Sequence, residues 1–487
     1  MLDAWRRTAV AGVLLLSAGA SAAATFTVTK GADTLDGACD ADCSLREAVA
    51  AANADPGADT IVLGPGVFTL SRPGRGEDAA SLGDLDLLGV VRIRGAGAAQ
   101  TIVDGGGEDR VFDVHAGEAE ITDLTVRGGR AAVGFVAALD GGGIRNLGHL
   151  TLARVLVTGN TSANHGGGVV NLDQLTIADS TIAGNSAIIG GGIASLLGTI
   201  ELVNATLSGN HAEVAGGLYG QGEGFDSQPS STVAHTTITG NTAESAAGTF
   251  FPVGSAPGFA RFDPELDHTL IAGNLAQDRC ECGFEYDADF NLLALLCLDC
   301  SLVLPPALGL TPLGEYGGPT PTHALLPGSP AIDTGAASCL GTDQRGRPRP
   351  ADGNGDGVER CDIGAVEAAA GECLTGGNVL CLLDGRFRVT ARFSTADGAS
   401  GDAQATALTA ETGYFWFFDP ANVELLAKML DACTTFDRFW VFLAGLTDVE
   451  VAIEVLDTLT GVRRSYGNPL GRPFAPQFDT DAFADCP

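Results

Sequence analysis

The sequence predicts an all-β protein: a right-handed parallel β-helix with an N-terminal cap helix and a C-terminal β-sandwich domain. Three observations carry this. A glycine triplet with an aliphatic successor recurs as Gly141-Gly142-Gly143-Ile144, Gly166-Gly167-Gly168-Val169 and Gly190-Gly191-Gly192-Ile193, with a degraded copy at Gly216-Gly217-Leu218. A Gly-Asn pair recurs in phase, placing Asn160, Asn185, Asn210, Asn241 and Asn274 at steps of 25, 25, 31 and 33 residues. Between these landmarks lie short alternating runs such as Leu150-Thr151-Leu152 and Thr181-Ile182-Ala183, with no helical periodicity. A fixed period in this range marks a solenoid, and alternation bounded by Gly and Asn marks short strands.

The elements follow in chain order. Arg6 and Arg7, the apolar stretch Thr8 to Ala20 and the small residues Ala20-Ser21-Ala22 read as an export signal over residues 1–24. No later segment is long and apolar enough for a membrane span, so the mature chain is expected outside the cytoplasm, secreted or at the cell surface. Residues 25–89 are expected to form the cap and first coils. There Ser44, with Glu47 three residues on, begins a short amphipathic helix through a capping box. Strand-like Asp59 to Leu63 and Val90 to Arg94 follow. Residues 90–310 carry the repeats. Stacked coils would place Asn160, Asn185, Asn210, Asn241 and Asn274 in an internal ladder, each at a sharp bend where Asn tolerates the left-handed conformation. The glycine triplets read as bends, since no helix and no P-loop Lys follows them. Residues 311–370 form a closing segment. From 371 to 487, longer alternating runs such as Arg386 to Phe393, Tyr414 to Phe418 and Val449 to Leu456 predict a β-sandwich.

Cys43-Ser44-Leu45-Arg46-Glu47-Ala48-Val49, followed by Asn53 and Asp59-Thr60-Ile61, resembles the CSLREA motif that opens many exported bacterial β-helix proteins of pectin-lyase-like fold. Gly318-Pro319-Thr320, Leu325 to Asp333, Asp343-Gln344-Arg345-Gly346 and Cys361 to Glu367 resemble the segment that closes the choice-of-anchor Q β-helix proteins. The C-terminal piece is similar to an unnamed domain appended to assorted secreted bacterial proteins. These resemblances imply the fold and an extracellular setting; they imply no defined activity.

Charge narrows the partners. Asp and Glu number 60 against 27 Lys and Arg, a net charge of −33. Such a chain repels phosphate backbones and anionic lipid and attracts divalent cations. The clearest metal pattern is Asp352-Gly353-Asn354-Gly355-Asp356-Gly357. It sets oxygen ligands at positions 1, 3 and 5 and a glycine at 6, with the Val358 carbonyl at 7; position 12 is Ile363 where an EF-hand has Glu, but Asp362 sits one place earlier, and the pattern predicts a Ca²⁺ loop of another kind. The 12 cysteines of an exported chain read as disulfides. Proximity pairs Cys39 with Cys43, Cys339 with Cys361 and Cys373 with Cys381, and elimination pairs Cys433 with Cys486. Cys280, Cys282, Cys297 and Cys300 would form two bonds among themselves, with zinc as the competing use.

No catalytic residue is assigned. Asp104, Asp113, Asp123, Asp173 and Asp179 fall at different phases of the repeat and need not converge. The aromatic run Tyr414 to Phe418 must give one face to the core and leaves the other as a platform. The expected role is therefore non-catalytic binding or adhesion to polysaccharide or a cell surface. A carbohydrate-active lyase or hydrolase is the alternative. Three or more carboxylates converging on one exposed sheet beside an Arg would favour the enzyme, and a face of Thr, Ser and aliphatics would favour binding.

Overall fold

The computed structural model describes the chain from residue 23, apart from residues 132–139, 224–230, 246–248, 251–258, 261–263, 277–279, 287–290, 298–307, 327, 370–372, 374–376, 384, 459, 485 and 487. The expected export signal, residues 1–24, thus falls almost wholly outside the described residues. Those that are described form a parallel β-helix followed by an antiparallel β-sandwich-like unit.

Three large parallel sheets build the helix, and each internal coil gives one strand to each; two short parallel sheets, Arg130–Ala131 with Thr161–Ser162 and His211–Val214 with Thr242–Ser245 and Leu275–Ala276, lie beside them. A nine-stranded sheet runs from Thr25–Thr27 through His149–Ala153 to Glu265–Asp267. A seven-stranded sheet runs from Leu85–Leu87 through Ile144–Asn146 to Thr249–Phe250. A ten-stranded sheet starts at Gly66–Thr69 and ends in Leu292–Cys297, where Cys280–Tyr286 joins antiparallel. Register holds from coil to coil, so Leu150, Leu175 and Ile200 stack inside, as do Leu152, Ile177 and Leu202. Stacking of like aliphatics buries a continuous apolar column, which supplies the main driving force. Parallel pairing begins at Thr25, so residues 25–89 contribute true coils as well as the cap. No helix among the described residues is long and apolar enough to cross a membrane.

The cap helix, Leu45–Ala54, has the full capping box: Ser44 Oγ accepts the Glu47 N–H, and Glu47 returns the bond to the Ser44 N–H. Burial opposes ionisation of Glu47. The Ser44 and Asp36 N–H groups, the Thr34 hydroxyl and Lys30 outweigh it and hold the carboxyl at about 2.

The asparagine ladder is continuous. Asn160 Nδ2 donates to Asn185 Oδ1 (3.0 Å), and the pattern repeats from Asn185 to Asn210, Asn210 to Asn241 and Asn241 to Asn274. The same oxygen also accepts the backbone N–H of the preceding ladder Asn; Asn160 N–H, for example, donates to Asn185 Oδ1 at 3.0 Å. One expectation needs correction. The left-handed conformation belongs to the preceding glycine, Gly159, Gly184, Gly209, Gly240 and Gly273, and not to the Asn. The glycine triplets also do more than bend. A Cβ on Gly168 would sit 2.7 Å from the Gly192 carbonyl, so these glycines let adjacent coils approach beside the ladder. A second, shorter ladder escaped the sequence reading: Asn146 to Asn171 (2.8 Å) to Ser195 (3.1 Å).

The closing segment lies along the outer face of the ten-stranded sheet. There Thr181, Thr206 and Thr237 form an aligned row. Gln344 accepts the Thr206 hydroxyl (2.6 Å) and donates to Thr181 (2.9 Å), while Ala365 N–H donates to Thr237 (2.9 Å). His323 bonds Ser208 at 2.8 Å. A stacked histidine pair, His235 and His268 (4.6 Å), holds the far end. His268 Nε2 accepts the Ala336 N–H, and Arg349 Nη1 stands 3.0 Å from His235 Nδ1. Burial first, then Arg349 and His268, lower His235 to about 2.

The C-terminal unit has two five-stranded antiparallel sheets. One contains Val379–Leu382, Phe387–Ser394, Ser400–Asp402, Glu450–Asp457 and Arg463–Asn468. The other runs Gln404–Thr409, Thr412–Trp416, Leu425–Asp431, Phe439–Gly445 and Gln477–Phe483. Phe387, Phe415, Phe439, Phe483 and Met429 fill the core. All four disulfides expected outside the 280–300 group are present: Cys39–Cys43, Cys339–Cys361, Cys373–Cys381 and Cys433–Cys486.

Asn185→Ala removes the acceptor of two donors on Asn160 and a donor to Asn210 and Val157. Each orphaned buried group costs roughly 1–3 kcal/mol. Urea unfolding should show a loss in that range or above, against less than about 0.5 kcal/mol for the outward-facing Thr176→Ala control. Equal losses in the two variants would remove the ladder's structural role.

Candidate functional site

Two places on the described surface depart from what a solenoid or sandwich needs for folding. The first is an acidic pocket on the seven-stranded sheet. Register sets Asp86 opposite Asp113 and Asp113 opposite Arg145 in the outward row. Strand alternation puts Asp84 on the face of Asp86 and His115 on the face of Asp113. Arg110 joins them: its Nε lies 3.1 Å from Asp84 Oδ2 and its Nη1 donates to Asp113 Oδ2 at 3.1 Å. Arg145 Nε donates to Asp113 Oδ1 at 2.8 Å. His115 Nε2 stands 3.1 Å from Asp86 Oδ1, 3.8 Å from Asp113 Oδ2 and 4.0 Å from Asp78 Oδ1.

The pocket is covered. Residues 71–83 fold over it, and the Ala80 N–H donates to Asp86 Oδ2 at 2.6 Å. Arg46 of the cap helix, wholly buried, is paired with Asp33 and donates to the carbonyls of Ala80, Gly83 and Asp84. Asp84, Asp86, Asp109 and Asp113 are all under a tenth exposed, whereas the Asp78 side chain is 70% exposed at the mouth. Burial, countered by Arg110 and reinforced by Asp109, Asp86 and Asp113, pushes the Asp84 carboxyl up to about 8. Burial likewise raises Asp86 to about 6, against the hydrogen bonds from Ala80 and His115.

The second place is the outer face of the Gln404–Phe483 sheet. Phe415 and Phe417 point into the core, and Phe393 stacks on Phe417 at 4.8 Å. Tyr414 and Trp416 take the other face, half-buried. Tyr414 pairs with Leu426, and Lys428, Phe442 and Phe478 form the next cross-strand row. Rings then run on in contact: Phe436 to Trp440 (4.8 Å), Trp440 to Phe442 (6.2 Å), Phe442 to Phe478 (5.8 Å). Phe478 is 71% exposed and Phe436 57%. Both tryptophans beyond Trp5 lie on this one face. A solvated sheet face ordinarily carries polar side chains, so an aromatic one marks a contact surface.

The turn predicted to hold calcium closes on itself. Asp352 Oδ1 accepts the Gly355 N–H (2.7 Å) and Oδ2 the Gly357 N–H (2.9 Å); Asn354 accepts the Asp356 N–H and Asp356 the Val358 N–H. Asp362 is not part of this turn, which corrects the expected ligand set. It is buried, its oxygens accept the Asp333 and Ala368 N–H groups, and burial beside Glu367 raises it to about 8. The loop's first turn instead borrows Asp333, which accepts from Gly353 and Asn354.

Of the carboxylates judged dispersed, Asp104 pairs with Arg127, Asp123 with Arg154, and Asp179 accepts from Asn204. Asp113 is the exception, and it converges with Asp84, Asp86 and Asp109, which the repeat phase did not flag. The signal that would have found them is the density of charge in Asp84-Leu85-Asp86 and Asp109-Arg110-Val111-Phe112-Asp113, unusual for strand residues. Backbone register sets Cys280 opposite Cys297, while the side chains of Cys280, Cys282 and Cys297 and all of Cys300 lie outside the described residues. No protein-family model, curated protein or solved structure matches this chain.

Arg145→Met leaves Asp113 buried among like charges with one guanidinium fewer. Removing one partner of a buried pair costs about 3–5 kcal/mol, whereas an exposed pair is worth about 1 or less. Chemical denaturation should therefore separate Arg145→Met from Arg92→Met, whose pair with Glu120 is exposed on both sides. Similar small losses in both would mean the pocket does not depend on its charges being matched.

Proposed function

We propose that this is an exported protein that binds polysaccharide without cleaving it, through the aromatic outer face of the C-terminal sheet. The observation that carries this reading is the aromatic outer face of a sheet whose opposite face already fills the core: Phe436, Trp440, Phe442 and Phe478 touch in sequence, and Tyr414 and Trp416 lie half-buried further along it. The C–H faces of pyranose rings are flat and apolar, with hydroxyls at the rim. They stack on aromatic rings spread along a strand, and the stack displaces water from both. Export through residues 1–24 and kinship with the CSLREA and choice-of-anchor Q proteins belong to the same proposal, supported by the motifs and by the parallel coils.

A specific observation favours the alternative, a carbohydrate-active enzyme: Asp84, Asp86 and Asp113 converge beside Arg110 and Arg145. Against it, residues 71–83 cover these carboxylates, and both oxygens of Asp113 are held by guanidinium groups. A general acid or base must reach the substrate. The threonine face of the ten-stranded sheet offers no rival binding surface, since the closing segment lies on it.

Calcium at Asp352, Asn354 and Asp356 is part of the proposal too, as a brace for the closing segment. At a hundredfold excess over its dissociation constant the ion would stabilise the folded chain by ~2.7 kcal/mol. The melting temperature should then rise more in millimolar Ca²⁺ than in Mg²⁺, and Asp356→Ala should remove most of the rise. Superimposable curves in Ca²⁺ and EDTA would assign the turn to its own backbone bonds alone.

Binding is tested by pull-down on insoluble cellulose, chitin and β-glucan, followed by tryptophan fluorescence with soluble oligosaccharides. The wild-type protein should bind at least one glycan with an emission shift. Trp440→Ala and Trp416→Ala should each weaken binding about tenfold, a loss of ~1.4 kcal/mol. Absence of binding across the panel, or variants that bind like wild type, overturns the reading. Concentration-dependent dimerisation abolished by Trp440→Ala would assign the face to a second copy instead.

A further inference from the structure

We propose that Asp78, Asp86, Asp113 and His115 form a site for a divalent transition-metal ion of the zinc class. Each offers one ligand atom, and these four atoms lie within 4.8 Å of one another. Measured from His115 Nε2, the carboxylate oxygens stand at 3.1, 3.8 and 4.0 Å. Four ligands around an ion at bonds of about 2.0–2.2 Å sit roughly 3.3–3.5 Å apart, so small side-chain shifts close the set.

The ligands are pre-positioned. Asp86 and Asp113 are cross-strand neighbours on adjacent coils, and His115 follows two residues after Asp113 on the same face. The second oxygen of Asp86 is fixed by the Ala80 N–H and Asp113 Oδ1 by Arg145 Nε; Asp113 Oδ2 accepts from Arg110 and Arg145, so an ion would share that oxygen with them. Ligating carboxylates are commonly oriented by such outer bonds. Asp78 comes from the covering segment and is exposed, which gives the ion a way in.

An independent observation points to a cation. Asp84 Oδ1 has no hydrogen-bond partner, although its side chain is only 3% exposed. The carboxyl pairs with Arg110 through Oδ2 and leaves Oδ1 bare beside Asp86, Asp109 and Asp113. The imidazole nitrogen selects zinc, cobalt or manganese over calcium, whose ligands are all oxygen. The stacked pair His235 and His268 with Asp267 also brings ligand atoms together, but its ring nitrogens already accept from Arg349 and Ala336.

The site is tested on the purified protein after EDTA treatment and dialysis, by mass-spectrometric metal counting with Zn²⁺ and by visible absorption with Co²⁺. The wild type should retain one equivalent and give cobalt d–d bands. His115→Ala should lose the ion. Asp78→Asn, at the exposed mouth where folding is unaffected, should weaken binding at least tenfold. A double variant, Asp352→Asn with Asp356→Asn, should bind as wild type and so separate this site from the turn in the closing segment. Three results overturn the proposal: no retained metal in the wild type, unchanged binding in Asp78→Asn, or cobalt–thiolate charge-transfer bands that place the ion on the Cys280–Cys300 group. Should His115→Ala fail to give the wild-type circular dichroism spectrum, Asp78→Asn decides alone.

Discussion

Unshifted parallel register between coils is the constraint on which the helical part depends. Because each strand pairs with the next without a bulge, a residue type placed once per coil becomes a column. Aliphatic columns make the core, Asn columns satisfy the bends, and a Thr column becomes the dock for the closing segment. A one-residue slip would turn every inward aliphatic outward. The Asn ladder protects against that slip, since its amides match only at one register. The glycine triplets let the coils come close enough for those amides to bond.

The same rule makes the acidic pocket expensive. Columns of like charge repel at one strand spacing, and Asp86 over Asp113 is such a step. Arg145 on the next coil and Arg110 beside the strand offset it, and the capping segment then removes water. The C-terminal sheet has the opposite imbalance, with apolar rings where a solvated face would carry polar groups. One unit thus buries carboxylates against arginines, and the other exposes rings where polar side chains are usual.

Much of the fold was legible in the sequence because it repeats. The Gly-Asn steps gave the coil length, the capping box gave the helix at Leu45, and alternation gave strands such as His149–Ala153 within a residue or two. Four cysteine pairs were readable from spacing and elimination. The pocket was not readable. Its residues come from two coils, a covering segment and the cap helix, and only three-dimensional register brings Asp86, Asp113 and Arg145 together. Loop spacing misled at Asp362, where nearness in sequence to Asp352-Gly353-Asn354 suggested a shared ion, while tertiary packing turned its carboxylate toward Asp333 and Ala368. The glycine before each ladder Asn was seen but misassigned, because Asn tolerates a left-handed bend less readily than the residue already beside it.

The Cys339–Cys361 bond has a mechanical meaning. If tension were applied along the chain from the C-terminal unit, the load would cross from residue 361 to residue 339 through the sulfurs. Residues 340–360 would form a slack loop outside the loaded path. That loop contains Gln344, which holds the threonine row, and Asp343, Arg345 and Arg349, which hold one another and Glu367. Under pulling, these contacts would not be stretched along the backbone. A protein tethered at one end and gripping a surface at the other would keep its coils clamped while the rest of the chain bears the strain.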